Sequence, residues 1–279
     1  MGIKIEHVSK RFISKHSQTH TLDNINLEVK RGEFLCIVGP SGCGKSTLLN
    51  IIAGLEKASE GLVLLDGKEV KGAGPDRAVM FQESALFPWL NVIDNVEFGM
   101  KMAGIPKAEM RAKALKYLKM VHLTKFQNSF VHELSGGMKQ RVALARALTL
   151  DSRVLLMDEP FAALDSQTKN ILQVELQQIW METEKTIIFI THNVEEAVML
   201  ADRVVVMSAN PGRVKKEFPI QLARPRQIEN LDLAYVVADV MKELKAEVEK
   251  VAKAEFDSDW NLQKDVVLHN IDNNLGAGL

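Results

Sequence analysis

The sequence predicts an α/β fold, and three observations predict it. A glycine-rich stretch, Gly39-Pro40-Ser41-Gly42-Cys43-Gly44-Lys45-Ser46-Thr47, lies between an apolar run at 34–38 and a helix-forming segment at 45–55. Two further apolar runs, 154–157 and 186–191, lead directly into Asp158-Glu159 and His192. Strand-like runs near 154–158, 186–191 and 203–208 alternate with helical patterns, the rhythm of a parallel sheet with crossover helices.

Each element follows from local pattern. Residues 3–8, 22–29 and a hairpin at 62–70 turning at Asp66-Gly67 predict an antiparallel sheet near the N-terminus. The run 77–81 reads as a strand that delivers Gln82 to its end. Residues 94–150 are helix-rich and predict a helical subdomain inserted at about 84–150, with Ser135-Gly136-Gly137 opening a helix at 138–150. Beyond 226, Leu233, Val237, Val240, Leu244, Val248 and Val251 recur every three or four residues, an amphipathic helix expected to pack back on its own core. The Asn- and Gly-rich stretch 270–279 is expected to fray. The chain therefore divides into a domain at 1–225 and a helical extension at 226–279.

The chemistry resides at strand ends, where α/β sheets place ligands. Gly39, Gly42 and Gly44 let the backbone turn tightly and aim N–H groups at phosphate oxygens, with the helix dipole adding positive charge. Lys45 suits the β- and γ-phosphates, and the Ser46 hydroxyl suits Mg²⁺. Asp158 suits a water-mediated hold on the same ion, and Glu159 the polarisation of an attacking water. His192, at the same sheet edge, suits the γ-phosphate and that water.

Composition narrows the class. The 279 residues are 46% hydrophobic, enough for one α/β domain with an insertion. A net charge of -1 gives no electrostatic case for nucleic-acid binding. Cys36 and Cys43 flank and enter the phosphate loop and form no disulfide framework, which fits a reducing compartment. No apolar stretch approaches the roughly 18 residues of a membrane span, and the N-terminus lacks a signal-peptide pattern, so membrane work is expected of partner chains.

In combination these motifs resemble the ATP-binding subunits of ABC transporters, over nearly the whole chain up to about residue 225. The resemblance implies a P-loop NTPase core of RecA-like type, with the antiparallel and helical subdomains described above. Positions 39–47 correspond to Walker A, 154–158 to Walker B, Glu159 to the catalytic base, Gln82 to a Q-loop that also reaches Mg²⁺, and His192 to the switch histidine. Phe12 sits where the family stacks an aromatic on adenine. Leu134-Ser135-Gly136-Gly137-Met138-Lys139-Gln140-Arg141 is similar to the signature, so Ser135, Gly136, Gly137 and Gln140 are expected to act in trans on ATP held by a second copy of the chain. Asp165 resembles the intersubunit D-loop aspartate. Met138 replaces the family's common Gln, and Ala162 stands where many members have Ser or Gly.

The resemblance further implies an ATPase with ATP and Mg²⁺, a homodimer closed around two ATP molecules, and a separate integral membrane permease. Leu86, Phe87, Trp89 and Leu90 would form the permease-docking segment. Phe87-Pro88-Trp89-Leu90, Asn210-Pro211-Gly212-Arg213 and Arg224-Pro225-Arg226 look like the nitrate/sulfonate/taurine branch of bacterial importers, which would place the chain at the cytoplasmic face of the inner membrane and indirectly beside a solute-binding protein. An exporter ATPase, or a non-transport ABC ATPase, stays open as an alternative.

Overall fold

A computed structural model describes residues 2–13, 18–162, 164–226 and 230–255. The chain forms two compact units, one from residues 1–73 and 186–279 and one from residues 74–185.

The first unit opens with β1 (Ile3–Ile13), β2 (Gln18–Val29), β3 (Phe34–Val38), α1 (Lys45–Ala53) and the hairpin β4 (Glu60–Leu65) and β5 (Lys68–Glu69). The second contains β6 (Arg77–Met80), α2 (Val92–Met102), α3 (Lys107–Met120), α4 (Gly136–Thr149), β7 (Val154–Asp158) and α5 (Ser166–Thr183). The chain then completes the first with β8 (Thr186–Ile190), α6 (Val194–Leu200), β9 (Arg203–Met207), β10 (Val214–Pro219) and α7 (Leu231–Glu255).

In the first unit, β3 runs between β8 and β9, parallel to both, with Cys36 opposite Phe189 and Val204. All five residues of β3 and all five of β8 are buried, the continuous apolar run expected of strands covered on both faces. β10 adds antiparallel to β9 as an edge strand. Its sequence, Val-Lys-Lys-Glu-Phe-Pro, carries the charges and proline that protect an edge from further pairing. The remaining strands form an antiparallel sheet in the order β2-β1-β4-β5.

β1 and β2 are far longer than the stretches at 3–8 and 22–29 that pattern alone picks out. Their pairing shifts register between Ile5 and Val8, between Val8 and Lys10, and between Lys10 and Arg11. His7 (φ 53) and Asn24 (φ 48) take left-handed backbone there, joined by a His7 Nδ1 to Asn24 Oδ1 hydrogen bond of 2.9 Å. Each bulge moves the apolar side chains out of strict alternation, which hides the strand from a period-two reading.

α7 packs against α6 and β9. Leu233, Val240 and Leu244 are buried along it, while Leu231 and Tyr235 face solvent. Glu247, 3% exposed, lies 3.0 Å from Lys215 Nζ on β10 and 2.6 Å from Lys250 Nζ. The expected fraying of 270–279 falls outside the described residues.

In the second unit, β6 and β7 pair in parallel, with Ala78 opposite Leu155. α2, α3 and α4 pack on one another, and α4 also packs on β6. Asn91 caps α2 by accepting from Asp94 N at 2.8 Å, and Asp165 caps α5 by accepting from Thr168 N at 2.9 Å. Among the described residues, no helix is long and apolar enough to cross a membrane.

Candidate functional site

The phosphate loop leaves β3 and enters α1. Gly42 (φ 75) and Gly44 (φ 92) occupy left-handed backbone that other residues rarely adopt, and this conformation turns the loop into the helix N-terminus. Lys45 is 8% exposed, and its ammonium donates to Gly39 O at 2.8 Å and Pro40 O at 2.9 Å. The ammonium is thus held inside the curve of the loop. Ser41, Gly42 and Ser46 are exposed, and Thr47 is half-buried.

Cys43 is fully buried, so only its backbone can serve a nucleotide. Burial raises the Cys43 thiol, and raises Cys36 well above the usual range, so both stay protonated at neutral pH. Beneath the loop lies Gly212. A β-carbon there would come within 2.0 Å of Cys43 O. Gly212 is itself fixed by Gly212 N to Thr21 O at 2.9 Å and Asp23 N to Gly212 O at 3.0 Å. The stretch Asn210-Pro211-Gly212-Arg213 is therefore a brace under the phosphate loop.

Also in the first unit, Phe12 lies near the end of β1, 42% exposed, with Lys10 Nζ 4.7 Å from its ring centroid. His192 follows β8 and is exposed. Its turn is pinned on both sides. Thr191 Oγ1 donates to the buried carboxylate of Glu196, Asn193 N donates to Thr191 Oγ1 at 3.1 Å, and Asn193 caps α6 by accepting from Glu196 N at 2.9 Å. Arg226, 3% exposed, closes the other end of α6 by donating to Val198 O at 2.7 Å and Ala201 O at 2.5 Å. It also donates to Ile220 O and Leu222 O. Burial lowers its pKa to about 10. Arg224 donates to Leu200 O at 2.6 Å, so the Arg-Pro-Arg motif is a C-terminal clamp on α6.

In the second unit, Asp158 ends β7 and Glu159 follows it at φ 46. A left-handed non-glycine backbone costs on the order of 1 kcal/mol and is concentrated at functional sites. Gln82 follows β6 and is exposed. Ser135 caps α4, its Oγ accepting from Met138 N at 3.3 Å, and Ser135 and Gly136 face solvent at the helix N-terminus with Gly137 half-buried behind them. Asp165 is exposed, and hydrogen bonds from the Thr168 end of α5 hold its carboxyl below the usual range.

Gln140 departs from the expected trans set. It is 3% exposed and its Nε2 donates to the Gln82 carbonyl of the same chain at 2.9 Å, so it does not share the open face of Ser135 and Gly136. The docking segment also divides. Trp89 is 69% exposed and Leu86 and Leu90 are half-buried. Phe87 packs inward, 4.3 Å from the Phe98 ring centroid, with its amide on Asn95 Oδ1 at 2.8 Å.

Sequence reasoning missed Gly212, Arg224 and Arg226 as structural parts of the site, and it gave Asn95, Arg146, Thr191 and Glu196 no positioning role. The one local signal was Asn193 three residues before Glu196, a helix N-terminus pattern immediately after His192.

A glycine-cradled loop entering a helix, on a buried parallel strand, defines a P-loop nucleotide-binding α/β protein. The chain matches the ABC transporter family over residues 22–162. It is 53% identical over 251 residues to an uncharacterized ABC transporter ATP-binding protein of Methanocaldococcus jannaschii, covering 90% of this chain and 94% of that protein. It is 47% identical over 223 residues to the taurine import ATP-binding protein TauB of Rhizobium johnstonii, covering 80% and 85%. It is 48% identical over 222 residues to the nitrate import ATP-binding protein NrtD of Synechocystis sp., covering 80% and 84%. Among solved structures, the dimeric bacterial ABC transporter cassette MJ0796 matches with a TM-score of 0.73 at 35% identity, covering 79% of this chain and 100% of that one. This chain belongs to the ABC transporter family and is an ATP-binding ATPase subunit.

Proposed function

We propose that this chain is the ATP-hydrolysing subunit of an importer, closing as a homodimer around two ATP molecules to drive a separate membrane permease. The observation that carries the nucleotide chemistry is the loop itself, with Gly42 and Gly44 left-handed and the Lys45 ammonium held over Gly39 and Pro40. Its backbone amides would take the β-phosphate, Lys45 would neutralise the β- and γ-phosphate charge, and Phe12 would stack on the adenine. The homodimer is supported by the relative whose solved form is dimeric. In that arrangement Ser135, Gly136 and Gly137 would offer a hydroxyl, open amides and a helix dipole to the γ-phosphate held by the other chain.

Ser46, Gln82 and Asp158 offer oxygen donors only, which suits a hard cation. Among the described residues no group of three or more His, Cys, Asp or Glu is placed to hold a metal ion. One carboxylate with a hydroxyl and an amide suits Mg²⁺ that arrives with phosphates and keeps its waters, rather than a cage built by protein alone. Bound there, Mg²⁺ supplies charge neutralisation for the phosphates. The phosphoryl-transfer transition state is loose, so the protein's contribution is position and charge. Glu159 would orient and polarise the water, His192 would hold it against the γ-phosphate, and Asp165 would sense the opposite chain. Loss of the γ-phosphate removes the group that joins the two halves, and the dimer opens.

The import direction and an anionic or zwitterionic small solute, such as nitrate, a sulfonate or taurine, are supported by the similarity to TauB and NrtD. The chain would then sit at the inner face of the membrane, with Trp89, Leu86 and Leu90 presented to the permease and a solute-binding protein beyond it. The test is affinity purification of a tagged Glu159→Gln chain from detergent-solubilised native membranes. A multi-span permease encoded beside a solute-binding protein is the expected result. Recovery of soluble partners alone would overturn the importer reading.

A further inference from the structure

We infer that Gln140 and Arg146 act in cis as positioning residues that fasten the loop carrying Gln82 to the signature helix. The inference rests on the reading of Gln82 and Ser135 as parts of the nucleotide site. Gln140 Nε2 donates to Gln82 O at 2.9 Å. Two turns further along α4, Arg146 donates through Nη1 to Ala85 O at 2.8 Å and through Nη2 to Ser84 O at 3.0 Å. Gln140 and Arg146 stand six positions apart, about 9 Å along the helix. The loop is therefore held to the helix at two separate points.

The planar guanidinium suits this task because its fork meets two successive carbonyls at once, which a lysine ammonium would not reproduce. It also lies 5.7 Å from the Phe87 ring centroid, on the next part of the loop. Phe87 is in turn locked to Asn95 of α2, which is fully buried and bonds both the Phe87 amide, at 2.8 Å, and the Phe87 carbonyl, at 3.2 Å. The Gln140 carboxamide is buried and places one donor on loop backbone, while the half-buried Arg146 guanidinium places two of its donors there. The consequence is mechanical. A force on Ser135 and Gly136 at one end of α4, and a force on the exposed Trp89 beyond Phe87, act on one fastened piece of the second unit.

The test compares the full chain with Gln140→Met, which keeps the length and removes the donor, and Arg146→Lys, which keeps the charge and removes the fork. Hydrogen exchange across 82–90 is expected to quicken about tenfold in each, with the Tm within about 2 °C because Gln82 is exposed and water replaces the lost donor. The kcat for ATP is expected to fall fivefold or more with KM within twofold. Mixing then separates cis from trans. A Gln140→Met chain mixed with a Lys45→Ala chain is expected to lose turnover, because the only intact Lys45 shares its chain with the broken tether. A Gln140→Met/Lys45→Ala chain mixed with the native chain is expected to match native mixed with Lys45→Ala alone. The opposite pattern, or unchanged exchange at 82–90, overturns the inference. Faster exchange with no effect of mixing on turnover upholds the tether and instead overturns the dimer reading.

Discussion

Gly212→Ala tests whether the loop beneath the phosphate cradle is part of the nucleotide site. Gly212 is not among the left-handed glycines, so alanine meets no backbone strain there and the effect is one of space. Its β-carbon would lie 2.0 Å from Cys43 O, where ordinary contact begins near 3.4 Å, so about 1.4 Å must be found. Gly212 is held by two backbone hydrogen bonds to Thr21 and Asp23, and its neighbour Arg213 is ion-paired with Asp23. The Lys45 ammonium holds the cradle at Gly39 O and Pro40 O, but at Cys43 itself the tie is a longer, 3.3 Å bond from Cys43 N to Pro40 O. The displacement should therefore fall on the cradle, between two glycines whose conformations aim the phosphate donors. Overpacking of this kind costs roughly 1–3 kcal/mol. If about 2 kcal/mol of that appears in binding, the Kd for ATP rises about 30-fold. Titration with a fluorescent ATP analogue, beside a thermal melt, measures both parts. An affinity within twofold of native and an unchanged Tm would refute the reasoning.

Four further outcomes are expected. Arg226→Met removes the donors that close the C-terminus of α6 and leaves buried carbonyls unmet, a loss of about 3 kcal/mol and a Tm drop of roughly 6–12 °C; Arg226→Lys should not restore it. Cys36 and Cys43 should resist iodoacetamide in the folded chain at pH 8 and react fully in denaturant, since both thiols are buried and shifted upward. Because their folded pKa values lie above the unfolded value of about 8.5, their stabilising contribution is complete below that pH and is lost as pH rises above it, so melts from pH 7 to 10 should show declining stability. Phe12→Ala should weaken ATP binding about tenfold while sparing the fold, because the ring is 42% exposed and base stacking contributes roughly 1–3 kcal/mol; unchanged affinity would remove Phe12 from the adenine site.

The most local features were the most legible. The loop at 39–47 declares itself because left-handed turns, phosphate donors and a helix start all require particular residues within nine positions. The signature helix was visible from Ser135 and its glycines, although it begins at Gly136 rather than 138 because exposed glycines can form its first turn. β1 and β2 were only partly legible, since register shifts at Val8 and Lys10 break their alternation. β10 was missed because an edge strand carries charge in place of the apolar pattern. The inward face of Gln140 was hidden for a related reason. Its position on α4 says that it lies near the signature, but only the folded loop at 82–87 determines that it faces inward. The two Arg224 and Arg226 side chains act on carbonyls some 25 residues away, beyond the reach of any capping rule read along the chain.

The central claim is that ATP joins two copies of this chain and that Glu159 ends the union. The direct measurement is the solution mass of the Glu159→Gln chain by light scattering, with and without ATP and Mg²⁺, beside its rate of ATP turnover. A doubling of mass with ATP, reversal with ADP and a turnover reduced at least a hundredfold are the expected results. A chain that stays single with saturating ATP, or that turns ATP over at the native rate, would contradict the account.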